Sequence, residues 1–258
     1  MPELFDITRR AMRRDRAARA GPELFLFERV FADALERIAL NDRRFGKALL
    51  IGCPDPEWPR RLRGLAEHVD VREPGPLFAS LSGGSPLVED AWEPPAQAYD
   101  LVLAIGTLDT VNELPLALRL VRHAMLADGL FIGAMSGGDT LPRLRAAMRA
   151  ADAAAGVAAP HVHPRIEASA LAPLLEHAGF TRPVVDVERA RVSYRSLERL
   201  VADLRAMGAT SILAAAAPPL TRAQRDAAAR AFGEAAEDGR TIETFEILHF
   251  AAWTPAQR

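Results

Sequence analysis

The sequence predicts an α/β fold in which a parallel sheet is covered by helices on both faces. Three observations carry this. Short apolar runs (KALLIG at 47–52, HVDVRE at 68–73, YDLVLAI at 99–105) end at a glycine or an acid, as strands buried on both faces do. These runs alternate with helical patterns through residue 190, the rhythm of strand–helix–strand units. The turn after the first run, Ile51-Gly52-Cys53-Pro54-Asp55-Pro56, stands where such folds bring backbone close to a ligand.

Taken in order, 3–19 and 22–40 read as two helices broken at Gly21-Pro22. The second carries Phe25, Leu26, Val30, Phe31, Leu35 and Ile38 at near-helical spacing. The first carries six arginines before residue 20. With Glu3, Asp6 and Asp15 among them, it reads as a solvated amphipathic face, with Leu4, Phe5, Ile7 and Met12 for its other side. After the first strand come a short helix at 60–67 and the second strand, stopped by Pro74-Gly75-Pro76. Residues 74–97 form a Pro/Gly/Ser-rich stretch with a short third strand near Leu87-Val88. The strand at 99–105 is followed by a helix over 114–125, a tight turn at Asp128-Gly129, a strand over 130–135 and a helix over 139–154. A loop at 155–165, a helix at 167–178 ending at Gly179 and a strand over 183–188 follow. A mostly helical stretch spans 196–237, and a last strand 244–253. One domain of 1–258 results: N-terminal helices 1–46, core 47–190, helical cap 191–240 and last strand 241–258.

Composition narrows the function classes. The apolar fraction of 49% fills a core, and no apolar run is long enough to span a bilayer. A net charge of −2 gives no general attraction to nucleic acid. The lone cysteine, Cys53, allows no internal disulfide or cysteine-rich metal site, and points to a reducing, cytoplasmic setting. His161 and His163 have no third ligand nearby and read as ordinary loop histidines. Gly137-Gly138 reads as a flexible turn with Asp139 or Thr140 as the helix N-cap, and Tyr194 as an aromatic anchor for the cap. In sheets of this type ligands sit at the carboxyl ends of the strands, so Gly52-Cys53, Glu73, Glu89-Asp90 and Gly106–Asp109 are the ligand-facing positions.

The order of these parts resembles the class I S-adenosylmethionine-dependent methyltransferases. More closely it resembles the methyltransferase-like proteins of the respiratory complex I assembly-factor type, and more distantly the malonyl-carrier-protein methyltransferases of biotin synthesis. Five segments carry the closer likeness: Leu4-Phe5-Asp6, LDTVNELPL at 108–116, GLFIGAMSGGDTLPRLR at 129–145, LRAMGAT at 204–210 and TFEILHFAAWTP at 244–255. The resemblance implies a Rossmann-like seven-stranded sheet whose last strand is antiparallel. It implies S-adenosylmethionine as cofactor and, as partner, a complex I subunit or another protein. Cofactor contacts would fall at Gly52, Cys53, Glu73 (ribose), Asp90 with Ala91 (adenine) and Gly106. The chain departs from the family pattern at its glycine turn. Leu50 takes the acidic place, and Pro54 and Pro56 take the second and third glycines, removing amide donors and fixing the backbone. Asp109-Thr110 stands where relatives often carry His-Trp. Three roles stay open: a working methyltransferase, a partner-binding assembly protein on the same fold, and another small-molecule or carrier-protein enzyme.

Overall fold

The computed structural model describes residues 3–215 and 217–256. Residues 1, 2, 216, 257 and 258, at the edges of the expected N-terminal helices and last strand and within the expected cap, lie outside the described residues.

Two helices open the described chain, α1 (Ile7–Ala20) and α2 (Phe25–Ala39). Asp6 caps α1 by accepting from the Arg9 amide at 2.8 Å, and Gly21 ends it at a φ of 91°. Along α2, Val30, Phe31, Ala34 and Ile38 form the buried stripe.

The sheet is built from β1 (Phe45–Ile51), β2 (Ala66–Glu73), β3 (Ser85–Pro86), β4 (Tyr99–Ile105), β5 (Met125–Ser136), β6 (Thr181–Tyr194) and β7 (Thr241–Trp253). Their order is β3-β2-β1-β4-β5-β7-β6. Strands β1 to β5 pair in parallel, and β7 runs antiparallel to both β5 and β6. The seven-stranded, mostly parallel sheet with a reversed last strand is therefore observed. The strand order turns back between β1 and β4, which opens a cleft at their carboxyl ends.

Helices α3 (Trp58–Leu62), α4 (Pro76–Leu81), α5 (Leu114–Ala124) and α7 (Ala168–His177) pack around the sheet. Leu49, Ile51, Val102, Ala104 and Phe131 face the layer with α5 and α7, while Ala48, Leu50, Leu101, Leu103 and Ile132 face α2 and α3. This alternation is why the strands read as unbroken apolar runs. A third core joins α6 (Pro142–Ala155), α8 (Leu197–Ala206) and α9 (Arg222–Glu234) around buried Tyr194, the anchoring place expected for that residue.

Several boundaries differ from the sequence reading. The short helix expected at 60–67 is α3, and β2 starts already at Ala66. The stretch at 74–97 holds α4, started by Pro76 at its first position, and the third strand lies at Ser85–Pro86 rather than at 87–88. The strand expected at 183–188 is the 14-residue β6, so the first four residues of the expected cap are strand. Neither Asp139 nor Thr140 caps α6. Leu141 does, in a left-handed conformation at φ 59°, and the Glu243 carboxylate accepts from the Arg143 and Leu144 amides at 3.1 and 2.8 Å. Gly137 and Gly138 are wedged in place: an added Cβ would lie 2.5 Å from Glu246 Oε1 and 2.3 Å from Glu167 Oε1.

Candidate functional site

The cleft at the ends of β1, β2 and β4 is floored by Gly52, Cys53, Glu73 and Gly106. Gly52 has a φ of 82°, and a Cβ there would stand 2.3 Å from the Ile105 carbonyl oxygen. Its glycine is thus required by the close approach of β1 and β4. Gly106 has a φ of 62°, and a Cβ would meet the Phe27 ring of α2 at 2.6 Å. Cys53 is buried, and burial pushes its thiol pKa up to about 12, so it stays protonated and unreactive.

Glu73 is wholly buried. Its carboxylate accepts from Arg14 Nη2 at 2.8 Å and from Arg14 Nε, from the Cys53 amide at 2.7 Å and from the Gly75 amide at 2.8 Å. Four donors saturate it. One turn earlier on α1, Arg10 forks onto buried Glu89 at 2.7 and 2.8 Å and donates to the Thr107 carbonyl at 2.9 Å. Two charge-assisted forks therefore pin α1 across the cleft. This corrects the reading of α1 as a solvated face. Arg10 and Arg14 are 4% and 5% exposed, whereas Met12 is 61% and Leu4 46% exposed.

The remaining expected positions divide. Asp90 lies at the surface side of the cleft and accepts from the Glu113 amide at 2.8 Å, and Ala91 is exposed. The buried acid of that segment is Glu89, one position earlier. Asp109, on a short 3-10 turn at Leu108–Thr110, faces Arg165 at 3.2 Å, with both side chains 6% exposed. His163 is buried beside them. Its Nε2 accepts from the Ile212 amide at 2.8 Å, and burial together with the Arg165 charge lowers its pKa to about 4. It is a neutral histidine that ties down the loop. His161 pairs with Asp152 at 2.8 Å. Among the described residues there is no group of three or more potential metal ligands, and no helix is long and apolar enough to cross a membrane.

Sequence reasoning placed Glu73 and Glu89 at the cleft but missed Arg10 and Arg14 as the groups that fill it. A signal was present: Arg10, Arg14 and Ala17 are spaced i, i+4, i+7 and form one buried face.

The fit to S-adenosylmethionine follows from these contacts. The void beside Gly106, bounded by Arg10, Arg14, Asp109, His163 and Arg165, is about 80 Å³. Small-molecule sites run from about 300 Å³ upward. Glu73 has no free lone pair for a ribose, and Pro54 has no amide hydrogen for the cofactor's amino-acid end. In this arrangement the residues present do not fit the cofactor.

No protein-family model matches the chain. It is 31% identical over 249 residues to the zebrafish (Danio rerio) protein named arginine-hydroxylase NDUFAF5, mitochondrial, covering 90% of this chain and 75% of that one. It is 34% identical over 173 residues to a malonyl-[acyl-carrier protein] O-methyltransferase of Laribacter hongkongensis, covering 63% and 57%. Among solved structures, the YcgJ protein of Bacillus subtilis superposes with a TM-score of 0.59 at 7% identity over 88% of this chain and 99% of that one. A Haemonchus contortus phosphoethanolamine N-methyltransferase in complex with S-adenosyl-L-methionine superposes with a TM-score of 0.51 at 11% identity, over 87% and 52%.

Proposed function

The chain belongs to the NDUFAF5 family of methyltransferase-like proteins, and from that premise we propose that it works on a protein partner, with the nucleoside cleft of its fold shut by α1. The partner in this reading is a respiratory complex I subunit, as the family resemblance implies. The observation that carries the reading is the pair of buried forks, Arg14–Glu73 and Arg10–Glu89. A nucleoside entering the cleft would have to break both, and separating a desolvated pair costs about 3–5 kcal/mol. S-adenosylmethionine binding belongs to the wider superfamily; in this chain it requires α1 to lift. Segments 1–46, 47–190, 191–240 and 241–258 then act as one unit. We assign the protein to the cytoplasm, in keeping with a free cysteine, although the zebrafish relative is named mitochondrial.

Calorimetric titration of the intact protein with S-adenosylmethionine and S-adenosylhomocysteine tests the closed cleft. No saturable binding at micromolar ligand is expected, and micromolar binding would overturn it. Pull-down from the host tests the partner. Enrichment of a complex I subunit is expected, and recovery of only unrelated metabolic enzymes would count against the assignment.

A second reading is favoured by the same forks. Glu73 and Glu89 are shaped as guanidinium receptors, and the zebrafish relative is named an arginine-hydroxylase. When α1 lifts, a partner's arginine takes the place of Arg10 or Arg14.

A further inference from the structure

A larger cavity, about 430 Å³, lies under the cap between α6, α8, α9 and the segment 161–165. It is of small-molecule size. Its walls are mostly apolar, from Leu144, Met148, Leu197, Val201 and Leu220. Its charged lining is unbalanced, with Arg165, Arg205 and Arg225 against a single acid, Glu198. Arg205 and Arg225 are exposed, whereas the Arg165 side chain is 6% exposed.

Arg165 is incompletely paired. Its Nη2 stands 3.2 Å from Asp109, and its Nε and Nη1 are buried without a hydrogen-bond partner among the described residues. A guanidinium presents five N–H donors and cannot lose its proton, so it cannot relieve this by titrating. These two nitrogens have almost no accessible surface, so an acceptor in the cavity meets them only when the Arg165 side chain turns toward it. Unpaired buried donors of a cation are costly, and an anionic acceptor rewards that turn. His163 beside it is neutral at physiological pH, for the reason given above, so Arg165 is the buried cation of this wall.

We propose that the cap cavity binds a medium-chain aliphatic carboxylate, its head group on Arg165 and its chain against the apolar wall. A neutral head would leave the arginine unsatisfied. A dianionic head such as a phosphate would leave its second charge to the exposed Arg205 and Arg225, where water screens the interaction. Arg165 stands in the wall between this cavity and the void beside Gly106, and the site uses neither of the two forks that hold α1.

Titration of the full chain with decanoate, below its micelle concentration, tests this against two probes with the same tail, decanol and decyltrimethylammonium. Decanoate is expected to bind saturably, and both controls at least about tenfold more weakly, the scale of one charge-assisted hydrogen bond. Arg165→Gln should weaken decanoate by roughly tenfold or more and leave decanol unchanged. Val201→Trp, which keeps Arg165 and fills the cavity, should abolish decanoate binding, and it decides alone if Arg165→Gln fails to fold. Equal binding of decanoate and decanol, or decanoate binding retained in Val201→Trp, would overturn the proposal, as would full affinity in a folded Arg165→Gln protein.

Discussion

Arg14 in the cleft and Arg165 under the cap have the same side-chain exposure, 6%, and each faces a buried carboxylate. Their surroundings differ in stoichiometry. Arg14 makes two bonds to Glu73, and Glu73 takes two backbone amides besides, so the acceptor positions of the carboxylate are all filled and Arg14 leaves no buried nitrogen without a partner among the described residues. Arg165 touches Asp109 through one nitrogen and leaves two others idle. Burial of charge is thus a poor guide to a ligand site. The count of unused donors separates a lock from a receptor.

The comparison can be broken by mutation. The largest effect is expected from Arg14→Met, which leaves the Glu73 charge buried and unpaired. Denaturant melts should show a loss of about 3–5 kcal/mol. Arg165→Met removes a weaker contact together with two idle nitrogens and should cost clearly less. An equal or larger loss for Arg165→Met would break the distinction between the two arginines.

A second, smaller effect sharpens the cap side. The folded protein holds the His163 pKa at about 4, against 6.5 in the unfolded chain. As pH falls the unfolded chain therefore takes up its proton first. The stabilisation is complete above pH about 6.5 and drains away as pH falls towards about 4. Its full size is about 3 kcal/mol. Melts at several pH values in this window should show that slope, and His163→Gln should flatten it. An unchanged slope in the folded variant would remove His163 as its source.

The smallest effect is expected at the rim of the cleft. Asp90 accepts one exposed amide bond, so Asp90→Ala should cost under about 1 kcal/mol and leave the forks intact. A loss as large as that of Arg14→Met would mean that Asp90, rather than Glu89, anchors this segment.

The sheet was legible because strands buried on both faces must be apolar throughout, and 47–52 and 99–105 leave no other reading. Strand β6 was only half legible. Its residues alternate inward and outward, and Arg189 and Arg191 on the outer face hid the continuation as far as Tyr194. Glu73 was found from its place at a strand end. What it holds was not, because Arg14 lies 59 residues away and a run of arginines is normally solvated. Arg165 gave no signal at all. Its interest lies in bonds it does not make, and a sequence does not record those.

The docking of α1 has a consequence for the order of events during synthesis. This helix is made before its anchors, which lie far downstream: Glu73 and Glu89 at separations of 59 and 79 residues, and the Leu213 carbonyl, which receives Arg9, at 204. Loops of that length close only after the intervening chain exists. Helix α1 is therefore made well before it can be fully seated. Until Glu73 and Glu89 have been made and brought into place, Arg14 and Arg10 have no partners, and the last anchor of the helix is added only with residue 213.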